Sequence, residues 1–335
     1  MTATTRSAQI LALTNSPSHA RRLVVVDAPD LIDSARTLAS QVVATCDDVR
    51  QAVLLPPEIR MDATEEALAG ADLVWLALPR SLAGLDEAAE QVAAQAAAHA
   101  TLVVVGPHAA LARSMNEVMA RHFTTGWATR GVGKLRALVG QTPVRPASRE
   151  WPKARRIPRI DLDVWAHGTT FAGGRLDPGT RALASWLNDV PRGDVLDFGC
   201  GSGVLAALLA RRPGQPPGAV RAIDVLASSV DATRRTAESA GVDVRAAWAD
   251  GLGGVASDSL DAIVTNPPFH RGSAKDSSAT LAMFAEAARV LQPGGQLWAV
   301  YNSHLPWKAR LSQLVGPTRL VAQDPRYTVV CATRR

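Results

Sequence analysis

Short, nearly continuous apolar runs alternate along this chain with longer stretches of helical period. Leu23-Val24-Val25-Val26, Leu73-Val74-Trp75-Leu76-Ala77-Leu78 and Leu102-Val103-Val104-Val105 lack alternating polar positions, the pattern of strands covered on both faces. Between the last two, an Ala-rich stretch from Ser81 to about Ala98 predicts a helix with Ser81 as its N-cap. The second half repeats the rhythm, with strands predicted near 194–198, 220–224, 242–248, 261–265, 296–301 and 327–332 and helices near 178–188, 204–212, 228–240 and 279–291. Gln292-Pro293-Gly294-Gly295 breaks the last of these helices from the strand that follows, and one helical stretch near 307–314 is expected to connect the final two strands. Alternation of this kind predicts α/β domains with mostly parallel sheets, and 335 residues exceed the usual single core, so two domains are expected.

Composition refines this picture little. A chain 47% apolar and 20% charged is that of a soluble globular protein. No window approaches the roughly 18 uninterrupted apolar residues of a membrane span. The start Met1-Thr2-Ala3-Thr4-Thr5-Arg6 does not read as a secretion signal, so a cytoplasmic protein without a membrane partner is expected. Cys46, Cys200 and Cys331 are odd in number and far apart, which argues against a disulfide framework and against a zinc site; no metal is expected. A net charge of +5 suits a polyanionic partner without requiring one.

Two stretches set the domain plan. After the first strand, where a cofactor loop would stand, the chain reads Asp27-Ala28-Pro29-Asp30, and the proline removes a donor that an anionic ligand would need; the domain over 1–141 reads as disabled for cofactor. From Thr142 to Ile160 four prolines argue against regular structure. Here Arg145, Arg149, Lys153, Arg155, Arg156 and Arg159 face a single acid, Glu150. This basic, Pro-rich linker, 142–160, is either a solvated connector or a strip contacting phosphates with Trp151 free to stack, and 161–335 follows as the second domain.

The second domain carries the chemistry. Val195-Leu196-Asp197-Phe198-Gly199-Cys200-Gly201-Ser202-Gly203 is a buried strand running into a Gly-rich turn that opens a helix. Val204 stands where the dinucleotide fingerprint needs its third glycine, which weakens a nicotinamide reading. Gly199 and Gly201 let a ligand approach the backbone, and Asp197 at the mouth would repel a pyrophosphate and welcome an ammonium. Close helix–strand packing alone would also select glycine here. Asp224 ends the next strand, where a carboxylate meets ribose hydroxyls, and Asp250 ends the one after, where it could accept from an adenine amine; each alone could be an ordinary strand cap. At the fourth strand end stands Asn266-Pro267-Pro268-Phe269-His270, a rigid turn offering an amide, freed carbonyls and an aromatic face. A Pro-Pro loop closing a strand with an aromatic plug would look the same. Asp197, Asp224, Asp250 and Asn266 are expected to form one row along the carboxyl edge of the sheet.

Asp-Phe-Gly-Cys-Gly-Ser-Gly, Asp224, Asp250 and Asn-Pro-Pro-Phe-His together resemble the class I S-adenosylmethionine-dependent methyltransferases. More narrowly, they resemble the ribosomal RNA guanine-N2 methyltransferases, in both the C type that acts on small-subunit RNA and the G type that acts on large-subunit RNA. Phe171-Ala172-Gly173-Gly174-Arg175-Leu176-Asp177-Pro178-Gly179 looks like that family's segment before the cofactor turn, with Ala172-Gly173 where Ser-Arg is expected; 302–307 looks like its segment after the fifth strand. Leu78-Pro79-Arg80-Ser81-Leu82 and Val105-Gly106-Pro107-His108 look closer to the large-subunit branch. The resemblance implies two tandem Rossmann-like methyltransferase domains, the N-terminal one degenerate and the C-terminal one catalytic. It implies S-adenosyl-L-methionine held by Asp197, Gly199, Gly201, Asp224, Asp250 and Asn266. Catalysis would fall to Asn266, Pro267, Pro268 and Phe269, and the base would be bound by Phe269, His270 and Arg271. It further implies ribosomal RNA, free or assembled in a ribosomal particle, as partner.

Two other readings stay open. The same Asn-Pro-Pro-aromatic loop serves methylation of protein glutamine or DNA adenine, against which stand Phe269 in place of Tyr, the following His270 and the separate N-terminal half. A non-catalytic RNA-binding or assembly protein could keep the fold without the reaction, against which stand the acids and Asn266.

Overall fold

The computed structural model describes residues 20–267 and 274–335, with side chains in the second segment from Leu281 onward. The chain divides into two compact units, 1–152 with 167–169, and 153–166 with 170–335.

The first unit is a six-stranded sheet built from β1 (Ala20–Val26), β2 (Ala39–Thr45), β3 (Leu73–Ala77), β4 (Thr101–Pro107), β5 (Phe123–Ala128) and β6 (Leu135–Pro143), in the order β2-β1-β3-β4-β6-β5. β1 to β4 are parallel; β6 runs antiparallel to β4, and β5 antiparallel to β6. Leu23, Val24, Leu73, Val74 and Trp75 are wholly buried, as a parallel sheet covered on both faces requires. Helices α1 (Ile32–Leu38), α2 (Val49–Ala52), α3 (Thr64–Leu68), α4 (Leu82–Gln95) and α5 (Ser114–His122) accompany it. After β1 there is no glycine turn. Asp27 takes a left-handed φ of 53° and accepts the Asp47 N–H at 2.7 Å, and a single 3₁₀ turn over Pro29–Leu31 follows. Burial pushes the Asp27 carboxyl up to about 6.

Helix α4 begins where the sequence indicates, with Ser81 Oγ accepting the Gly84 N–H at 2.9 Å. Its buried face carries three acids, Asp86, Glu87 and Glu90, only 6%, 6% and 2% exposed. Each has donors. Glu90 accepts the backbone N–H groups of Glu150 at 2.7 Å and Trp151 at 3.1 Å. Asp86 lies 2.7 Å from His122 Nε2 and accepts the Trp151 indole N–H at 3.1 Å. Glu87 accepts the Gly168 N–H at 2.7 Å, and a Cβ at Gly168 would lie 2.2 Å from the Ala83 carbonyl, so only glycine fits.

The stretch expected to be an irregular linker is therefore held to this unit as far as Pro152. Arg145 donates to the carbonyls of Ala94 and Ala96 at the end of α4, Arg149 pairs with Glu65 at 2.5 Å, and the Trp151 indole is already engaged. Nor do the prolines bar regular structure, since β6 runs to Pro143 and a further strand, β7, covers Lys153–Ile157.

In the second unit, β7 pairs antiparallel with β8 (Leu162–Ala166). Beside this hairpin is a seven-stranded sheet of β9 (Val195–Phe198), β10 (Val220–Asp224), β11 (Val244–Trp248), β12 (Leu260–Thr265), β13 (Leu291–Asn302), β14 (Thr318–Gln323) and β15 (Tyr327–Thr333), ordered β11-β10-β9-β12-β13-β15-β14. Strands β9 to β13 are parallel, and β15 is antiparallel to both β13 and β14. Helices α6 (Pro178–Ala184), α7 (Val204–Ala210), α8 (Ala227–Ser239), α9 (Ala274–Val290) and α10 (Trp307–Leu314) complete it. Alternate residues feed two cores. Leu196, Ile263 and Leu297 join Phe284 and Trp307, while Val195, Val264 and Trp298 join Leu205 and Leu209 of α7.

Two expectations are corrected here. Strand β14 intervenes after α10, so the last two predicted strands are not joined by a helix alone; none of its residues is buried, and only Leu320-Val321-Ala322 within it is apolar. Strand β13 also resumes directly after α9: its register jumps from Leu260–Leu291 to Ala262–Gln296, so Gln292–Gly295 bulges from the ladder instead of separating helix from strand. Removing edge strand β11 from the second sheet leaves the order and directions of the first. A lone parallel bridge from Ala44 to Arg60 occupies that edge in the first unit.

Replacing Glu90 with alanine should leave two backbone N–H groups without their carboxylate. The expected loss is on the order of 2–3 kcal/mol in the unfolding free energy of the first unit. Rapid trypsin cleavage at Arg149 should appear, and an unchanged digestion pattern would contradict the docking of this stretch.

Candidate active site

The turn after β9 joins a buried strand to α7 within a few residues, and it does so through left-handed backbone. Gly199, Gly201 and Gly203 have φ of 73°, 55° and 76°, values that favour glycine over any residue with a side chain. The three glycines differ in surroundings. A Cβ on Gly203 would lie 2.8 Å from Thr233 Cα, so this position lets the turn pack against α8. Beside Gly199 and Gly201 there is open space for 4 Å. Both readings of the glycines therefore apply, packing at Gly203 and access at the other two.

Strand register fixes the heights of the candidate residues. Ile223 and Thr265 both pair with Phe198, so Asp224 and Asn266 flank Gly199 at one level on either side. Asp224 bridges the neighbouring connections: one oxygen accepts the Gly201 N–H at 2.9 Å and the other the Leu226 N–H at 3.0 Å. The remaining acids do not share this level, which corrects the expected single row. Asp250 is exposed and lies beyond the end of β11 at Trp248.

Asp197 sits beneath the turn instead of at its mouth, level with Val264 and 1% exposed. One of its oxygens accepts the Ala206 N–H in the first turn of α7 at 2.9 Å. The other, Oδ1, has no hydrogen-bond partner among the described residues. Burial pushes its carboxyl up to about 7; the Ala206 N–H opposes this and the charge of Asp224 adds to it. A buried carboxylate with one idle oxygen is suited to accept from a cationic N–H donor.

Asn266 is held from a direction that the sequence reading did not single out. Its Nδ2 donates to Asp177 Oδ2 at 2.9 Å and to Thr180 Oγ1 at 3.0 Å. Asp177 is also the N-cap of α6, accepting the Thr180 N–H at 2.9 Å, with Pro178 at the first helical position. Gly179 permits the approach, since a Cβ there would lie 3.2 Å from Asn266 Oδ1 and 3.0 Å from Asp177 Oδ2. The Asp-Pro pair at a helix start was the available signal for Asp177; nothing marked Thr180. Pro267 is buried after Asn266, whereas Pro268, Phe269, His270 and Arg271 lie outside the described residues. The stretch after β13 lines a cavity of about 560 Å³ with Tyr301, Ser303, Leu305, Pro306, Lys308 and Thr328. Among the described residues no group of His, Cys, Asp or Glu could hold a metal ion, and no helix is long and apolar enough to cross a membrane.

A doubly wound sheet with a Gly-rich first turn and polar side chains at its carboxyl edge is the architecture of Rossmann-like methyltransferases. The methyltransferase small domain profile matches residues 161–331, and the chain belongs to that family. It is 40% identical over 193 residues to the ribosomal RNA small subunit methyltransferase C of Hahella chejuensis, an alignment covering 57% of this chain and 56% of that protein. It is 32% identical over 277 residues to the ribosomal RNA large subunit methyltransferase G of Pseudomonas paraeruginosa, covering 81% of this chain and 73% of that one. The chain thus spans little more than half the length of the small-subunit relatives it matches. Among solved structures, the T. thermophilus 16S rRNA N2 methyltransferase in complex with AdoMet and guanosine superposes with a TM-score of 0.79 at 23% identity, over 98% of this chain and 91% of that one. This last likeness is one of fold.

Because the folded carboxyl of Asp197 titrates at about 7, above its ordinary value of 3.8, the ligand-free folded protein retains a proton that the unfolded chain releases. The associated stability is complete below about pH 4 and is lost as pH rises towards 7. Asp197→Asn should therefore gain on the wild type in urea midpoint between pH 5 and pH 8. A pH-independent difference would contradict the raised carboxyl.

Proposed function

We propose that this protein transfers the methyl group of S-adenosylmethionine to the exocyclic N2 amine of a guanine in ribosomal RNA, in the cytoplasm. The observation that carries the reading is Asn266: an amide beside an open Gly-rich turn, with both N–H groups occupied by Asp177 and Thr180 and its oxygen left to accept.

The donor set fits the cofactor. The idle oxygen of Asp197 suits its ammonium, Asp224 at the end of the next strand stands where a carboxylate meets ribose hydroxyls, and the space beside Gly199 and Gly201 admits its bulk. Exposed Asp250 is assigned to the adenine end. When bound, S-adenosylmethionine supplies a methyl group on a sulfonium that is already a good leaving group.

The work left to the chain is placement and polarisation. A guanine amine is a poor nucleophile because its lone pair is delocalised into the ring. Asn266 Oδ1 and the Pro267 carbonyl, accepting its hydrogens, would localise that pair toward the methyl group. Phe269 would stack on the base, with His270 and Arg271 binding substrate around it. The base must leave its stack to reach the site, and placement of the amine in line supplies most of the acceleration.

The relatives of both branches are named as ribosomal RNA methyltransferases, which supports the substrate class. The large-subunit branch is slightly favoured, because its alignments extend over 81% of the chain against 57% for the small-subunit type. The basic residues beyond the docked stretch support an RNA partner: Arg155 and Arg159 are exposed and have no ion pair among the described residues. Arg156 is paired with Asp161 and Asp163 and is not available in the same way.

Calorimetry and methyl transfer test the reading together. Asp197→Ala should weaken S-adenosylmethionine binding by roughly tenfold to a hundredfold, the equivalent of a lost charge-assisted hydrogen bond. Wild-type affinity should rise as pH increases through about 7, as Asp197 ionises. Asn266→Ala should retain cofactor affinity within about threefold and lose methyl transfer to RNA by on the order of 10²-fold or more. Normal turnover by that variant would refute the role of Asn266, and unchanged affinity in Asp197→Ala would refute the cofactor site.

A further inference from the structure

An asparagine amide has two faces of opposite character, and the proposed chemistry needs only one of them. If the amide turned over, Nδ2 would replace Oδ1 and present hydrogens to an amine that must lose its own. Rotation about the last side-chain bond is soft in asparagine, so sterics alone do not choose. The surroundings of Asn266 make the choice chemically. Asp177 Oδ2 sits 2.9 Å from Nδ2, and an ionised carboxylate can only accept, so the NH₂ group must face it. Thr180 Oγ1 takes the second hydrogen at 3.0 Å. With both N–H groups committed, Oδ1 remains to accept.

We infer that Asp177 and Thr180 are positioning residues that lock the Asn266 amide in the one orientation that presents its oxygen to the amine being methylated. This rests on the methyl-transfer reading above and adds to it a cause for the orientation. The lock is built from the first turn of α6. Asp177 holds the Thr180 N–H at 2.9 Å as well as the amide, so the helix cap and the amide clamp are one carboxylate oxygen. Gly179, between them, keeps the turn within reach; any side chain there would crowd Asn266 Oδ1 and Asp177 Oδ2. The segment Asp177-Pro178-Gly179-Thr180 thus supplies the other half of a device whose first half, Asn266-Pro267, closes β12 89 residues away from Asp177.

Two measurements test the lock. In ¹⁵N-labelled protein, the Asn266 side-chain NH₂ resonances, assigned by their loss in Asn266→Ala, should shift in Thr180→Val and in Asp177→Ala and exchange faster with solvent. In methyl-transfer assays, Thr180→Val should lower kcat about threefold to tenfold and Asp177→Ala about tenfold to a hundredfold, with KM for RNA and cofactor affinity within about threefold of wild type. Thr180→Ser, which keeps the hydroxyl, should recover most of the kcat lost in Thr180→Val. If these residues act only through Asn266, Asp177→Ala added to Asn266→Ala should slow the enzyme no further. Unmoved Asn266 resonances, or additive losses in the double variant, would overturn the lock. Moved resonances together with normal turnover by Asn266→Ala would instead show that the amide is clamped and the methyl-transfer role assigned to it is wrong, which also removes the proposed purpose of the clamp.

Discussion

The second unit depends on a backbone constraint. Strand β9 is buried on both faces and only five residues separate Phe198 from α7, so the connection must reverse direction in left-handed conformations at Gly199, Gly201 and Gly203. That turn is stabilised by acids on neighbouring layers. Asp197 holds the start of α7 from below through Ala206, and Asp224 holds Gly201 from the side. The arrangement is costly in one respect: Asp197 is buried with one oxygen idle and its carboxyl pushed up to about 7. A perturbed carboxyl beneath a left-handed glycine turn, beside two glycines with open space, is the combination that marks a candidate ligand site.

The same architecture occurs twice with different outcomes. Both sheets share strand order and direction once β11 is set aside, yet the first unit has Asp27 and a proline-led turn where the second has glycines. Its carboxylates are used elsewhere. The acids of α4 grip the backbone at Glu150, Trp151 and Gly168, so charged groups that would be costly to bury are fully employed in holding chain. That employment explains why the stretch rich in arginine and proline is not a free basic strip as far as Pro152.

Much of the fold was legible because parallel strands leave continuous apolar runs, as at Leu73–Ala77 and Leu260–Thr265. The strands that were missed are β2, β5, β6, β14 and the β7–β8 hairpin; all but β6 lie at edges or outside the main sheets, where mixed burial erases the pattern, and β6 runs antiparallel between β4 and β5 with a polar end at Gln141-Thr142. At the site, the residue types were legible and their heights were not. Period-two alternation says that Asp197 faces the α7 side, but only the pairing register shows it to be two residues below Asp224 and Asn266. The clamp on Asn266 was hidden for a different reason: Asp177 and Thr180 reach it through tertiary packing, and their spacing in sequence signals nothing beyond a helix start.

The central claim is guanine-N2 methylation of ribosomal RNA by this chain. Mass mapping of modified guanines in ribosomal RNA from cells with and without the protein tests it most directly. The account predicts one N2-methylguanine that disappears with the protein and returns when the wild type, but not Asn266→Ala, is restored. Identical guanine maps in the two sets of cells, with the methyl group appearing instead in protein or DNA, would contradict it.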